Sequence, residues 1–83
     1  MAYYTNADFI YFNPNGETVF LAGDSKRRVG VTENMLRSCA GTGRTNYATG
    51  EKVRLRMCRL TTGVGTTLEE FSRFMARLNE MPE

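Results

Sequence analysis

Two apolar stretches near the start of the chain predict a pair of strands joined by a tight turn. Residues 8–13, DFIYFN, are rich in aromatic and β-branched side chains, a composition typical of strands. The segment ETVFLAG has the same character, and NPNG lies between the two. Asn15-Gly16 suits a turn that requires positive φ. We therefore expect strands near 8–13 and 17–22, paired as a hairpin.

The segment from Thr32 to Gly41 has the apolar spacing and the end signals of a short helix. Three apolar side chains recur on one helical face, namely Met35, Leu36 and Cys39. The Thr32 hydroxyl can accept a hydrogen bond at the helix start, and Gly41 suits the position just past the helix end. Before this helix, the pattern leaves open whether residues 28–31 form a short strand.

Residues 51–61 show the clearest strand pattern. Apolar and basic positions alternate, with Val53, Leu55 and Met57 on one face and Lys52, Arg54 and Arg56 on the other. The alternation shifts after Met57. A β-bulge at Met57–Cys58 would accommodate the shift, and burial of the second half of the strand on both faces is the alternative. A glycine-bounded loop, residues 41–50, precedes this strand.

The last third of the chain predicts an amphipathic helix. We expect TTGVG to end the preceding strand, since glycines weaken strand interiors. Thr67 and Glu70 have the spacing of a capping box, and Pro82 ends the helix near Met81. Six apolar side chains form a stripe at helical spacing: Leu68, Phe71, Phe74, Met75, Leu78 and Met81.

These elements follow one another in the order β-β-(β)-α-β-α. The order predicts an α+β fold, with a small antiparallel sheet of three to four strands and the C-terminal amphipathic helix packed on one face. The chain has 83 residues, a length typical of one small domain, so residues 1–83 are expected to form a single unit.

Charge is distributed unevenly along the chain, although the net charge is only +2. Nine basic and three acidic side chains lie between residues 24 and 60, while the segments on either side are mildly acidic. Nine of the eleven basic residues are arginine, which makes forked contacts that lysine cannot make. The codon composition of the source genome explains the arginine content equally well.

The cysteine content and the hydropathy pattern indicate in which cellular compartment the protein is expected. Cys39 and Cys58 are the only cysteines, and we expect both to be reduced and partly buried in a cytoplasmic protein. There is no histidine, so no zinc site and no cofactor is predicted. No stretch approaches the roughly 20 apolar residues of a membrane span, and the first residues do not resemble a signal peptide.

Catalysis is not predicted by any motif. A cysteine nucleophile requires a base or a cationic setting, and the carboxylates show no paired spacing. Glycines in residues 41–50 lack the Walker spacing, and Gly63-x-Gly65 lacks the third glycine of the dinucleotide fingerprint. We expect a protein that is not an enzyme.

Binding is the remaining class of function. The candidate residues for a protein partner combine the basic strand, the preceding loop and exposed aromatics: Arg44, Tyr47, Lys52, Arg54, Arg56, Arg59, Tyr3, Tyr4 and Tyr11. The alternative is nucleic acid, gripped by basic side chains with Tyr47 nearby: Arg27, Arg28, Arg44, Tyr47, Lys52, Arg54 and Arg56. A third interpretation is a solvated face that prevents edge-to-edge pairing.

In size and composition alone, this short arginine-rich chain without catalytic groups is similar to small inhibitors encoded by phages and mobile elements, anti-CRISPR proteins among them. The resemblance implies a non-enzymatic protein that blocks a host complex through protein–protein contacts. No membrane association is expected. A homodimer is a further expectation, because aromatic surface on so small a domain favours self-association.

Overall fold

The computed structural model describes residues 9–81, and within that range the fold is α+β, as predicted. In chain order the elements are β1 (Val19–Leu21), α1 (Ser25–Val29), α2 (Glu33–Gly41), β2 (Arg44–Thr45), β3 (Lys52–Val53), β4 (Cys58–Leu60), β5 (Gly63–Thr67) and α3 (Leu68–Leu78). The main sheet is antiparallel, in the order β1-β5-β4, and β2 and β3 form a separate antiparallel pair. None of the helices within 9–81 is both long and apolar enough to cross a membrane.

The central strand of the sheet is β5. The predicted end of the preceding strand is confirmed at Thr61 and Thr62, but the glycines of TTGVG belong to a new strand that was not predicted. Residues 61–62 form only a turn, and Gly63–Thr67 then pairs with β4 on one side and β1 on the other. The backbone of β1 runs so close to position 65 of β5 that only a residue without a side chain fits there. A Cβ at Gly65 would lie 2.0 Å from the Phe20 carbonyl oxygen.

The predicted N-terminal hairpin does not form. Residues 9–12 instead run parallel to the chain at Met57, whose N–H donates to the Ile10 carbonyl at 2.8 Å. The Phe12 N–H returns a bond to the Met57 carbonyl at 2.9 Å. Of the two strands predicted for this hairpin, the second is present as β1, within 17–22, and its partner is β5. The NPNG turn therefore connects two segments with different partners.

Helices occupy most of residues 25–41. Residues 28–31 contain no strand, because α1 includes Arg28 and Val29, and Gly30 ends the helix at a φ of 82°. The predicted cap of α2 is confirmed, since the Thr32 hydroxyl accepts from the Met35 N–H at 3.2 Å. Gly41 is the last residue of α2 rather than the one after it.

The chain from Lys52 to Leu60 crosses the core and changes partners along the way. It leaves β2 after Val53, and the Leu55 N–H donates to the Cys39 carbonyl at the end of α2 at 3.0 Å. The predicted core positions Val53, Leu55 and Met57 are buried, and so is Cys58. The alternation of apolar and basic residues therefore shifts after Met57 because the consecutive side chains of Met57 and Cys58 are both buried.

α3 completes the core, although it ends at Leu78, three residues before the predicted end. Phe74 is buried, and Leu68, Phe71 and Leu78 pack partly against the core. Met75 and Met81 are exposed, so the predicted stripe of six is only partly covered.

Candidate functional site

The basic strand does not present one row of free charges. Arg56 forms a forked pair with Glu70, at 2.8 Å from Nε to Oε1 and 2.9 Å from Nη2 to Oε2. Its guanidinium also lies 5.0 Å from the centre of the Phe12 ring. Because one carboxylate neutralises it at close range, Arg56 is held in the fold.

Arg44 and Arg54 converge at the C-terminal end of α2. The Arg44 Nη1 donates to the Ser38 hydroxyl at 2.9 Å and to the Gly43 carbonyl at 3.0 Å. The Arg54 Nε donates to the Ala40 carbonyl at 3.2 Å, and its side chain passes over Gly43. Cations are favoured at this end of a helix by the helix dipole. The structure thus brings Arg44 and Arg54 together and gives Arg56 a different partner, on α3.

Three arginines lie over aromatic rings of residues 9–12. Arg59 lies 4.4 Å from the centre of the Tyr11 ring, and Arg37 lies 5.9 Å from that of Phe9. Arg56 on Phe12 is the third. Such cation–π contacts contribute about 0.5–1 kcal/mol each at exposed sites. Three of the predicted partner-binding residues, Arg56, Arg59 and Tyr11, therefore help to hold residues 9–12 against the rest of the fold.

The other predicted residues are dispersed. Lys52 is exposed on β3 and Arg28 on α1, while Arg27 pairs with Asp24 at 3.2 Å. Tyr47 is 93% exposed on the turn between β2 and β3. Tyr3 and Tyr4 lie outside the described residues.

A buried carboxylate, Glu70, joins α3 to the sheet. Besides Arg56, it accepts from Arg73, whose Nη2 lies 2.7 Å from Oε2 and also bonds Glu17 at 3.1 Å. The Thr67 hydroxyl donates to Glu17 at 2.7 Å and accepts from the Glu70 N–H at 2.9 Å. The predicted capping box is thus half formed. The Thr67 hydroxyl caps the Glu70 N–H, but the Glu70 side chain binds Arg56 and Arg73 rather than the backbone of Thr67.

Hydrogen bonds lower the pKa of both carboxyls in this network. The bond from Arg56 is the main cause for Glu70, and the bond from Thr67 is the main cause for Glu17. Stability from these groups is complete above their unfolded pKa of about 4.3 and is lost as the pH falls through their lower folded values. We therefore expect unfolding in acid to begin below about pH 4.

Glu70→Gln should destabilise the protein by about 2 kcal/mol, because it leaves two arginines without their shared charge. The expected loss is below the roughly 3–5 kcal/mol of a fully buried pair, since both arginines are about half exposed. Urea unfolding at pH 7 and pH 3 measures it, and the variant should lose less stability between these pH values than the wild type. Glu33→Gln, in an exposed pair with Arg37, is the control and should cost a few tenths of a kcal/mol. Equal losses for both variants would show that the Glu70 network contributes little.

An open apolar groove lies between α2 and α3, with a volume of about 400 Å³. We call it the α2–α3 groove. The residues that line it are Val31, Met35, Cys39, Arg44, Thr45, Phe71, Phe74, Met75 and Leu78. Met35 is 48% exposed and Met75 40% exposed. Sequence reasoning assigned these side chains to apolar helix faces, but it did not indicate that the two faces leave a gap.

Arg44 provides the charge in this groove. Within residues 9–81, no carboxylate forms an ion pair with it. Burial raises the pKa of the Cys39 thiol in the groove, and the positive charge of Arg44 opposes that rise. The groove is therefore apolar along its walls and positive at Arg44.

Asn46 holds the Tyr47 turn against the C-terminal end of α3. Its amide donates to the carbonyls of Arg77 and Glu80, both at 2.8 Å. Its side-chain oxygen accepts from the Ala48 N–H at 2.9 Å. Thr45, two residues before Tyr47, lines the groove together with Leu78.

Cys39 and Cys58 form no disulfide, and both are buried rather than partly buried as expected. In the described part of the chain, His, Cys, Asp and Glu side chains form no group of three that could hold a metal ion. Comparison with known proteins found no matching family model, no matching curated protein and no matching solved structure.

Proposed function

We propose that this is a non-enzymatic binding protein that docks onto a protein partner through the α2–α3 groove. The observation that carries the proposal is the exposed pair Met35 and Met75 on the rim of an apolar groove that contains Arg44. Flexible methionine side chains adapt to the surface of a partner. The half-buried Arg44 favours a partner that combines apolar side chains with a carboxylate.

The predicted partner residues contribute unequally to this surface. Arg44 lies in the groove, and Tyr47, exposed two residues after Thr45, is an aromatic side chain of the kind enriched in interfaces. Blocking a host complex, as a phage-encoded inhibitor does, is the role proposed for this contact. The two unpaired thiols fit a reducing compartment, so the proposed site of action is the cytoplasm.

Nucleic-acid binding by the basic strand stays a prediction with weaker support. Arg56 is paired with Glu70, and Arg59 lies on Tyr11. Phosphate binding by the remaining side chains would weaken steeply as salt increases. A protein contact dominated by the groove would depend less on salt.

Met75→Lys should abolish capture of the partner while leaving the fold intact, because it places a charge in the groove at an exposed helix position. The wild type and variants, each immobilised, would be incubated with lysate of the source cells, and captured proteins would be identified by mass spectrometry. A protein retained by the wild type would then be purified and its affinity measured by calorimetry.

Met81→Lys is the matched control, since Met81 is 73% exposed and lies beyond α3, outside the groove. The proposal requires at least a tenfold weaker affinity for Met75→Lys and an unchanged affinity for Met81→Lys. A purified partner that binds all three proteins equally would exclude the groove as the docking site.

A further inference from the structure

We propose that the partner element in the α2–α3 groove is an amphipathic α-helix with an acidic side chain placed to meet Arg44. This inference rests on the proposed function and specifies the occupant. It depends on three features of the groove: the spacing of its apolar wall, its open rim and the positive charge of Arg44, which pairs with no carboxylate of residues 9–81.

The α3 wall has the periodicity that one helix presents to another. Phe71, Phe74, Met75 and Leu78 line the groove at spacings i, i+3, i+4 and i+7. They span two helical turns, about 10 Å along the axis. A partner helix that carries apolar side chains at the same spacing would match this wall along its length, which is the usual arrangement when a helix binds a groove.

The rim favours a helix over a small apolar ligand. Small-molecule sites bury about 70–90% of their ligand, which requires walls on most sides. Here Met35 on one wall and Met75 on the other leave the groove open to solvent. An amphipathic helix suits this geometry, because its apolar side chains would enter the groove while its polar face remained in water.

Arg44 determines the charge that the helix should carry. Ser38 and the Gly43 carbonyl hold Nη1, which orients the guanidinium without neutralising it. A docked helix would remove water from this half-buried cation, so binding would be costly unless the helix supplied an anion. A carboxylate can accept two parallel hydrogen bonds from a guanidinium, which makes Glu or Asp the best-fitting side chain.

Two synthetic peptides of about 14 residues, a length at which helices become stable, test the proposal. Both carry leucines at i, i+3, i+4 and i+7, and they differ only in Glu or Lys one turn beyond the last leucine. Binding is followed by NMR on protein labelled at the methionine methyl groups. Met35 and Met75 report on the groove, whereas Met57 reports on the core and Met81 on a surface outside the groove.

We expect the Glu peptide to shift the Met35 and Met75 signals, to leave those of Met57 and Met81 unchanged, and to bind roughly tenfold more tightly than the Lys peptide. Arg44→Glu should reverse the preference, and Arg44→Gln should remove it. An unchanged Met57 signal confirms that each variant is folded. Equal affinity of the two peptides for the wild type would overturn the inference, and so would a preference that survives in Arg44→Gln.

Other occupants would give different results. Concentration-dependent shifts of Met35 and Met75 without peptide, together with a dimer in sedimentation, would assign the groove to a second copy of the chain. Shifts produced by dodecanoate but by neither peptide would assign it to a small amphiphile. Either result overturns the helix proposal. If Met75→Lys still abolishes capture of a protein partner, the proposed function stands even though the helix inference fails.

Discussion

Gly65→Ala is expected to unfold most of the protein, although it adds a single methyl group. That methyl carbon would lie 2.0 Å from the Phe20 carbonyl oxygen and 2.9 Å from its carbon. Both atoms belong to the backbone of β1, so neither can rotate away as a side chain would. The strands β1 and β5 would have to separate at Leu21, which pairs with Gly65.

The expected cost exceeds the roughly 1–3 kcal/mol of an overpacked core. Small domains are stable by about 5–15 kcal/mol, and one of this size belongs at the lower end. Circular dichroism during thermal unfolding would show the loss. Gly23→Ala is the matched control, because its methyl would lie at an ordinary 3.7 Å from Glu33 and its backbone is not in the left-handed region. A Gly65→Ala melt within a few degrees of the wild type would mean that β1 and β5 are not paired as described.

Phe74→Asp is expected to abolish folding, because it replaces a buried ring with a charge that has no partner. Phe74 is 3% exposed and belongs to the core cluster with Leu36 and Leu55. Loss of the ring alone costs about 3–5 kcal/mol, and burial of a carboxylate adds several more. The absence of dispersed amide signals in an NMR spectrum at 25 °C would confirm it.

Phe71→Asp is the informative companion to this variant. Phe71 is only partly buried, and it lines the α2–α3 groove. We expect it to remain folded, with stability reduced by about 1–2 kcal/mol, and to lose partner binding. If Phe71→Asp and Phe74→Asp unfolded equally, the groove would be part of the core rather than a surface.

Local chemistry made parts of this fold predictable. The hydroxyls of Thr32 and Thr67 cap α2 and α3 as expected, because a cap depends on residues within one helical turn. The alternation of Val53, Leu55 and Met57 identified core positions correctly, even though residues 54–56 leave the strand ladder. Burial depends on the direction of the side chain, and an extended segment alternates whether or not it is paired.

The errors arose where distant contacts override local preference. Gly63 and Gly65 resemble a strand terminator, but β5 requires glycine at position 65 because β1 approaches so closely. The Asn15-Gly16 signal favoured a hairpin, whereas residues 9–12 pair with Met57 instead. The residues around a turn do not indicate whether a distant segment will compete for the strands on either side of it.

Some side chains of the candidate site could be predicted from the sequence, but their arrangement in space could not. Arg44 and Tyr47 were expected to contact a partner; the structure places Arg44 in the groove and Tyr47 on the exposed turn that follows Thr45. The row of Arg54 and Arg56 was not preserved, because Glu70 on α3 pairs with Arg56. A helical pattern shows that a face is apolar, but whether another element covers that face depends on how the helices pack.

The position of β5 in the chain also affects when the protein can fold during synthesis. β1 and β4 have β5 as their shared neighbour in the main sheet, so that sheet cannot form until residues 63–67 have left the ribosome. The bond between Glu17 and Thr67 joins residues 50 positions apart. Contacts of such long range slow folding, since the chain must close a large loop before the contact stabilises it. Until then, among the elements described within residues 9–81, α1, α2 and the β2–β3 pair are complete in the nascent chain, while the apolar side chains of β1 and β4 lack their partner strand.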